Sequence, residues 1–240
     1  MLGSFINGRN KMNILALDTS TKNFSLAVLE EGRIIATRDI VLDKVLSDSI
    51  IPTIESILKK AKMSFAALNG FAIGLGPGSF TSLRVGLSTI KGFCLATQKP
   101  VVGISSLDLI ARNIKAVQDQ DICVISDAKR HMVYAAIFCQ VNGSLKRQGP
   151  YHLLEIKNLL PRIKKNTVFI GDGIGLYREE IEKYFIKKNI KVTFEQERLW
   201  LPKAEQLALL ALDRFARKKA DDIDKLVPLY LYRDDCQVTR

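Results

Sequence analysis

The chain has 240 residues, enough to bury one large core or two small ones. Its composition, 47% hydrophobic and 25% charged, is that of an ordinary globular protein, and no apolar run reaches the roughly 18–20 residues of a membrane-spanning helix. The net charge is +11; residues 1–105 hold 12 Lys+Arg against 7 Asp+Glu and residues 106–240 hold 24 against 18, so both halves are basic with acids interleaved. That balance fits either a solvated surface or a field facing an anionic partner such as a nucleic acid, and composition leaves both open.

Residues 1–11 show neither a signal-like apolar stretch nor a structural period, and are expected to be a disordered leader outside the fold. Asn13–Asp18 is a short apolar run ending in a polar corner, which predicts a strand. Phe24, Leu26 and Val28 alternate with small residues, and Glu30-Glu31-Gly32 turns the chain into residues 33–40, a β-hairpin. Ile50, Ile51, Ile54, Ile57, Leu58 and Ala61 form a stripe of helical period, with Ser47 or Asp48 as cap and Pro52 in the first turn. Residues 70–75 read as a strand, about 80–97 as a helix and 101–104 as a strand, so the later strands need helical crossovers and pair in parallel.

The second half repeats this grammar. Helices are predicted over 105–114, 155–164, about 176–187 and about 203–218, with strands over 122–127, 132–141 and 167–170 and an Asn142-Gly143 turn. The expected fold class is α/β in two lobes. The first spans residues 12–105 and is completed by the helix 203–218, the second spans 106–202, and a tail spans 219–240.

Cys94, Cys123, Cys139 and Cys236 lie far apart with no metal-ligand spacing; Cys123 and Cys139 are expected as core residues rather than disulfide partners, in a cytoplasmic setting. His131 and His152 are the only histidines, too few for a His-based metal cluster.

Gly74-Leu-Gly-Pro-Gly-Ser-Phe-Thr-Ser-Leu-Arg-Val-Gly86 joins a strand to a helix, where free backbone N–H groups could hold a phosphate. No Walker-type Gly-Lys-Ser/Thr and no G-x-G-x-x-G accompany it, and a tight strand-to-helix turn explains the glycines as well. On the helix, Ser82, Gly86 and Thr89 form a lane of small side chains beside the apolar Phe80, Leu83, Leu87 and Ile90, able to admit another helix from the core or from a partner. Asp18-Thr19-Ser20-Thr21 at a strand end could hold magnesium and phosphate, or satisfy turn amides. Asp127 ends a strand of the second lobe in the same way, and Asp18 with Asp127 is the nearest approach to facing carboxylates across an interlobe cleft.

These segments resemble the TsaB (YeaZ) family. The likeness is carried by Leu15-Ala-Leu-Asp-Thr-Ser-Thr21, the block Gly74 to Gly86, Lys91-Gly92 and Pro100-Val-Val-Gly-Ile-Ser-Ser-Leu107. Weaker agreement continues through Asp127-Ala-Lys129, Val133-Tyr134, Gly171-Asp-Gly173, Pro202-Lys-Ala204 and Pro228-Leu-Tyr230. The resemblance implies an actin/Hsp70/sugar-kinase-like fold of two tandem ribonuclease H-like lobes. It implies a non-catalytic scaffold in tRNA threonylcarbamoyladenosine biosynthesis, which binds the TsaD-type transferase, meets a TsaE-type ATPase through the complex and touches tRNA only indirectly. No cofactor, metal or membrane contact is expected, and the small-residue lane with the stripe ending at Ala61 predicts a homodimer when the chain is alone, through the face the partner uses. On this reading Ile54, Gly78, Phe80, Ser82, Leu83, Gly86, Thr89 and Ile90 form the partner face, and Asp18, Thr19, Ser20 and Asp127 are the vestige of a nucleotide site.

The chain departs from the family pattern with Ser82 where Gly is usual and Leu46-Ser-Asp48 in place of His-Ser-Glu, and from the superfamily phosphate loop with Thr19 in place of Gly. The alternative is an enzyme of the same superfamily, an ATP-dependent kinase or a metallohydrolase. A kinase needs glycines after Asp18, a metallohydrolase needs paired histidines, and a ribonuclease H-like nuclease needs clustered carboxylates; the sequence offers only Asp18 and Asp127 toward any of these.

Overall fold

The computed structural model describes residues 12–41, 46–115 and 119–232; the leader, Cys236 and the end of the expected tail lie outside the described residues. The chain divides into two units, one taking the residues up to Leu109 together with Pro202–Leu229, the other Ile110–Leu201 and the residues from Tyr230.

In the first unit β1 (Ile14–Asp18), β2 (Asn23–Glu30), β3 (Arg33–Val41), β4 (Gly70–Gly74) and β5 (Val101–Ile104) form one sheet in the order β3-β2-β1-β4-β5. The β1–β2–β3 pairs are antiparallel and the β1–β4 and β4–β5 pairs parallel. Strand β1 is buried on both faces, so its side chains divide by strand period. Leu15 and Leu17 face a core completed by α1 (Leu46–Lys60) and α2 (Phe80–Thr97). Ile14 and Ala16 face a second core under the C-terminal helix α6 (Ala204–Ala216). Small residues on both sides of that contact, Ala16, Ala27 and Ala72 against Ala204, Ala208 and Ala211, let the helix lie close to the sheet.

Helix α1 starts at Leu46, so Pro52 is interior rather than in the first turn. It sits on the exposed side, where water can take the carbonyl bond that a proline ring cannot make. Helix α2 ends at Gln98, which is left-handed (φ 56°) and donates its N–H to the Cys94 carbonyl, and Pro100 prevents continuation. Residues 219–229, expected as tail, belong to this lobe. Asp221 accepts from Gly103 N at 2.8 Å and Arg214 Nη2 at 2.8 Å, and Leu226 is buried in the α1–α2 core.

The second unit contains β6 (Asp121–Asp127), β7 (Met132–Val141), β8 (Ser144–Glu155), β9 (Thr167–Ile170) and β10 (Val192–Phe194), in the order β10-β9-β6-β7-β8. Matched from its first strand, this is the order of the first lobe: two antiparallel hairpin steps on one side and two parallel additions on the other. The topology therefore repeats where the residues do not. Helix α3 (Ser106–Ala111) is shorter than the 105–114 expected, and the helix expected over 155–164 is one turn, α4 (Ile156–Leu159), followed by a 3-10 turn at Leu160–Arg162 that contains Pro161. Helix α5 (Ile174–Phe185) connects β9 to β10. Cys94 and Cys123 are buried and free; Cys139 is also free but only half-buried on β7. No helix of the described residues is long and apolar enough to cross a membrane.

Candidate functional site

The two sequence segments of greatest interest in the first lobe meet each other. Asp18 closes β1, and its carboxylate is fully buried. Its Oδ1 accepts from Ser20 N at 2.9 Å and Ser20 Oγ at 2.7 Å, and its Oδ2 accepts from Ser106 Oγ at 2.6 Å. Ser106 Oγ in turn accepts from Gly76 N at 3.1 Å, so the acid ties β1, the glycine block and the start of α3 together. Thr19 is fully buried and donates from Oγ1 to the Ser82 carbonyl at 2.8 Å, while the Ser20 carbonyl accepts from Ser79 N at 2.7 Å.

Each of these residues occupies the space vacated by a glycine. A Cβ on Gly74 would lie 1.9 Å from Asp18 Oδ2, one on Gly78 would lie 2.1 Å from the Ser20 carbonyl oxygen, and one on Gly86 would lie 2.4 Å from Thr19 Oγ1. The glycine block is thus a template for Asp18-Thr19-Ser20, and the space at the end of β1 is filled by the chain's own backbone and hydroxyls. Asp18, Thr19 and Ser20 are all buried, turned into their own lobe rather than toward a ligand.

Burial pushes the Asp18 carboxyl above its ordinary value of 3.8, and the hydrogen bonds from Ser106 and Ser20 oppose that rise without cancelling it. An acid whose folded pKa is raised lends stability below its unfolded pKa, and that contribution is lost as pH rises through the folded value. Asp18→Asn keeps an acceptor for both Ser20 donors and removes the buried charge. The variant is therefore expected to gain on the wild type as pH rises from about 3.8 toward neutrality. Parallel urea titrations across that range check this; a gap that moves in the wild type's favour contradicts it.

The second lobe repeats the device at the matching strand ends. Gly171 (φ 115°) would carry a Cβ 2.1 Å from the Ile125 carbonyl oxygen, and Asp172 Oδ1 accepts from Ser126 Oγ at 2.7 Å and Asp127 N at 3.0 Å. Asp127 accepts from Lys129 N at 2.8 Å and from Lys129 Nζ. Burial raises its pKa, but the Lys129 hydrogen bonds and charge outweigh burial and hold it below 3.8. Asp172 and Ser106 were missed as functional candidates. Their only sequence signal is a polar residue inside a motif, Gly171-Asp-Gly173 and Ser105-Ser106, whose partner lies far away in the chain. His131 lies in the β6–β7 turn and His152 on β8, and no group of three or more His, Cys, Asp or Glu among the described residues is placed to hold a metal.

Of the eight residues expected on a partner face, Ile54, Leu83, Gly86 and Ile90 are buried in the first lobe and are withdrawn from that role. Ser82, Thr89 and Gly78 lie at its border, and Phe80 is 52% exposed with the Arg84 guanidinium 3.7 Å above its ring. The outward strip of α2 lies a third of a turn from the expected lane. It consists of Thr81, Arg84, Ser88, Gly92, Leu95 and Ala96, spaced at i, i+3, i+7, i+11, i+14 and i+15. Only Arg84 among them is charged. A Cβ on Gly92 would meet nothing within 4 Å, so no internal contact requires the glycine, and Leu95 is 63% exposed.

The family model described as TsaD, tRNA N6-adenosine threonylcarbamoyltransferase, matches residues 41–238. The Bacillus subtilis protein named tRNA threonylcarbamoyladenosine biosynthesis protein TsaB is 30% identical over 223 residues, covering 92% of this chain and 94% of that one. This chain belongs to the TsaB family. The Escherichia coli protein of the same name is 25% identical over 92% of this TsaB-family chain and 94% of its own length. The solved structure of YeaZ from Pseudomonas aeruginosa, 26% identical, superposes with a TM-score of 0.75 over 92% of this chain and all of that one. A more distant structure, the activator of the 2-hydroxyisocaproyl-CoA dehydratase from Clostridium difficile with bound ADPNP, is 13% identical at a TM-score of 0.50 and shares the fold alone. The fold is therefore the α/β fold of the YeaZ structures, with two five-stranded sheets, as the family resemblance implied.

Proposed function

We propose that this TsaB-family chain acts in tRNA threonylcarbamoyladenosine biosynthesis as a non-catalytic scaffold that binds the TsaD-type transferase. The observation that carries the non-catalytic reading is the closed lock at Asp18. The carboxylate that an actin-like enzyme would aim at metal and phosphate is buried here under three intramolecular donors. The strip of α2 supports the scaffold reading. A surface helix ordinarily turns charge to water, whereas this face offers small and apolar groups around one arginine, the composition of an interface centre. Gly92 allows a partner backbone to approach closely, and Ile51 on α1 and Leu95 on α2 add exposed apolar area. The same strip serves a homodimer when the transferase is absent, and the complex brings in the TsaE-type ATPase.

The test is turnover by the purified chain. It is expected neither to hydrolyse ATP nor to modify tRNA alone, and to support modification when transferase and ATPase are added. Robust turnover by the chain alone, lost in a folded Asp18→Asn variant, overturns the scaffold reading in favour of a kinase-like enzyme.

A further inference from the structure

The charge of the second lobe is concentrated at one end of its sheet. Strands β6, β9 and β10 are parallel, and β7 runs against β6, so the starts of β6, β9 and β10 share an end with the β7–β8 hairpin. Register fixes the rows. Lys146, Cys139, Asp121, Thr167 and Val192 lie across the sheet in one row, and Arg147, Phe138, Ile122, Val168 and Thr193 in the next. The hairpin brings Lys146 and Arg147 to this end, the approach to β9 brings Lys164 and Lys165, and the approach to β10 brings Lys187, Lys188 and Lys191. All seven are exposed. Against them stand Asp119 and Asp121, of which Asp121 is buried, with Lys165 as its coulombic neighbour and Gln148 Nε2 donating to it at 3.0 Å.

Residues 110–201 carry 16 Lys+Arg and 10 Asp+Glu, a net +6, and the strand starts and their approaches at this end supply +5 from 7 bases and 2 acids, the last turn of α5 adding Glu182 and Lys183, which cancel. The opposite end of the same sheet holds Asp127, Asp172 and Glu155 against Lys129 and Arg130. No ion pair joins Lys146, Lys164, Lys187 or Lys191 to a carboxylate among the described residues. Five strands at about 4.8 Å spacing spread the bases over about 19 Å. Arg147 lies 3.9 Å over the Tyr151 ring, which keeps its guanidinium spread on the surface.

The geometry points to this strand-start end of the second lobe as a site for the phosphate backbone of RNA, and on the functional reading above that RNA is the tRNA substrate of the complex. It departs from the expectation, drawn from the family resemblance, that tRNA is touched only indirectly. Lysines gathered at the strand starts, with no ion pair among the described residues at Lys146, Lys164, Lys187 and Lys191, hold phosphates without reading bases, so binding is general among tRNAs and steep in salt. A lipid surface is the weaker reading, because the large apolar side chains exposed at this end, Ile186 and Val141, stand among seven bases, while Ile122, Phe138 and Val168 are at most partly exposed.

The test is tRNA binding by the full chain from 50 to 200 mM salt, wild type against Lys146→Ala/Lys164→Ala/Lys187→Ala/Lys191→Ala. The variant is expected to bind at least about tenfold more weakly at 100 mM salt, with the slope of log affinity against log salt reduced by about 0.7–0.9 for each phosphate no longer neutralised. Lys129→Ala/Arg130→Ala, at the opposite end, is expected to leave both quantities unchanged. Equal affinity and slope in the fourfold variant overturn the inference, as does a loss confined to anionic phosphatidylserine vesicles. Transferase binding is measured on the same samples. If the wild type binds no transferase, the scaffold reading fails; if transferase binds and the tRNA slope is unmoved, only the RNA site fails.

Discussion

Gly74→Ala is expected to unfold the first lobe, lowering stability by about 3 kcal/mol or more, at the extreme of single-substitution effects. The added methyl would stand 1.9 Å from Asp18 Oδ2, and that oxygen has nowhere to go. It is buried, it accepts from Ser106, and its carboxylate partner oxygen is held by both donors of Ser20. Rotating the acid away leaves buried donors unpaired, at about 1–3 kcal/mol each, and keeping it in place strains β4 against β1. Gly86→Arg meets Thr19 in the same manner and is likewise expected to unfold the chain rather than to report on a partner. The control is Gly92→Ala, where a methyl meets nothing and the helix gains about 0.5–1 kcal/mol. Urea unfolding of the three variants checks the account, and a Gly74→Ala protein within about 1 kcal/mol of wild type would falsify the lock.

Gly92→Arg carries the second large effect, on binding. The side chain points into open space from the outward face of α2 and replaces a helical glycine, so the free subunit keeps or slightly raises its unfolding midpoint. In a complex packed on that face the arginine has to be buried among Ser88, Leu95 and Ala96 with no carboxylate of this lobe's strip to receive it. A buried, uncompensated charge costs about 3–5 kcal/mol, which corresponds to a drop in affinity for the transferase of about 100-fold or more. Homodimerisation is expected to fall with it if, as proposed, the homodimer uses the same face. Calorimetric titration with the transferase and sedimentation of the free chain give the two readouts. A folded variant that binds as tightly as wild type removes the interface from α2.

The helix–strand alternation was legible because its signals are local. The period-3.6 stripe of α1, the alternation in β2 and the glycine turn at Gly32 each depend on neighbours in sequence. The misses follow from tertiary context. Strand β8 reads as Ser-Leu-Lys-Arg-Gln-Gly-Pro, polar and broken by Gly149 and Pro150, because it is an edge strand turned to water and needs no buried alternation. Strand β10 has three residues and is formed by its pairing with β9. Residues 219–229 show no period, yet Asp221 and Leu226 fasten them to the first lobe.

The site was legible as motifs and illegible as an arrangement. Asp18-Thr19-Ser20 and Gly74 to Gly86 both stood out, but nothing in sequence says that one fills the other, because the two segments lie more than 50 residues apart. The lane Ser82, Gly86, Thr89 was chosen for small size alone, which an interior and an interface demand equally. The distinction rests on which side of α2 faces the sheet, and that is set by β1. Gly92, two turns further and outward, had no internal neighbour to mark it.

The central claim is that this subunit supports a reaction without performing it. The most direct measurement is the rate of tRNA threonylcarbamoylation per assembled complex, using Asp18→Asn and Asp127→Asn subunits whose folding and transferase binding have been verified. Both carboxylates serve their own lobes here, so the rate per complex is expected to stay within about twofold of wild type, less than about 0.5 kcal/mol of barrier. A fall of about a hundredfold or more in either fully assembled variant would show that the subunit contributes a catalytic carboxylate, and would contradict the account.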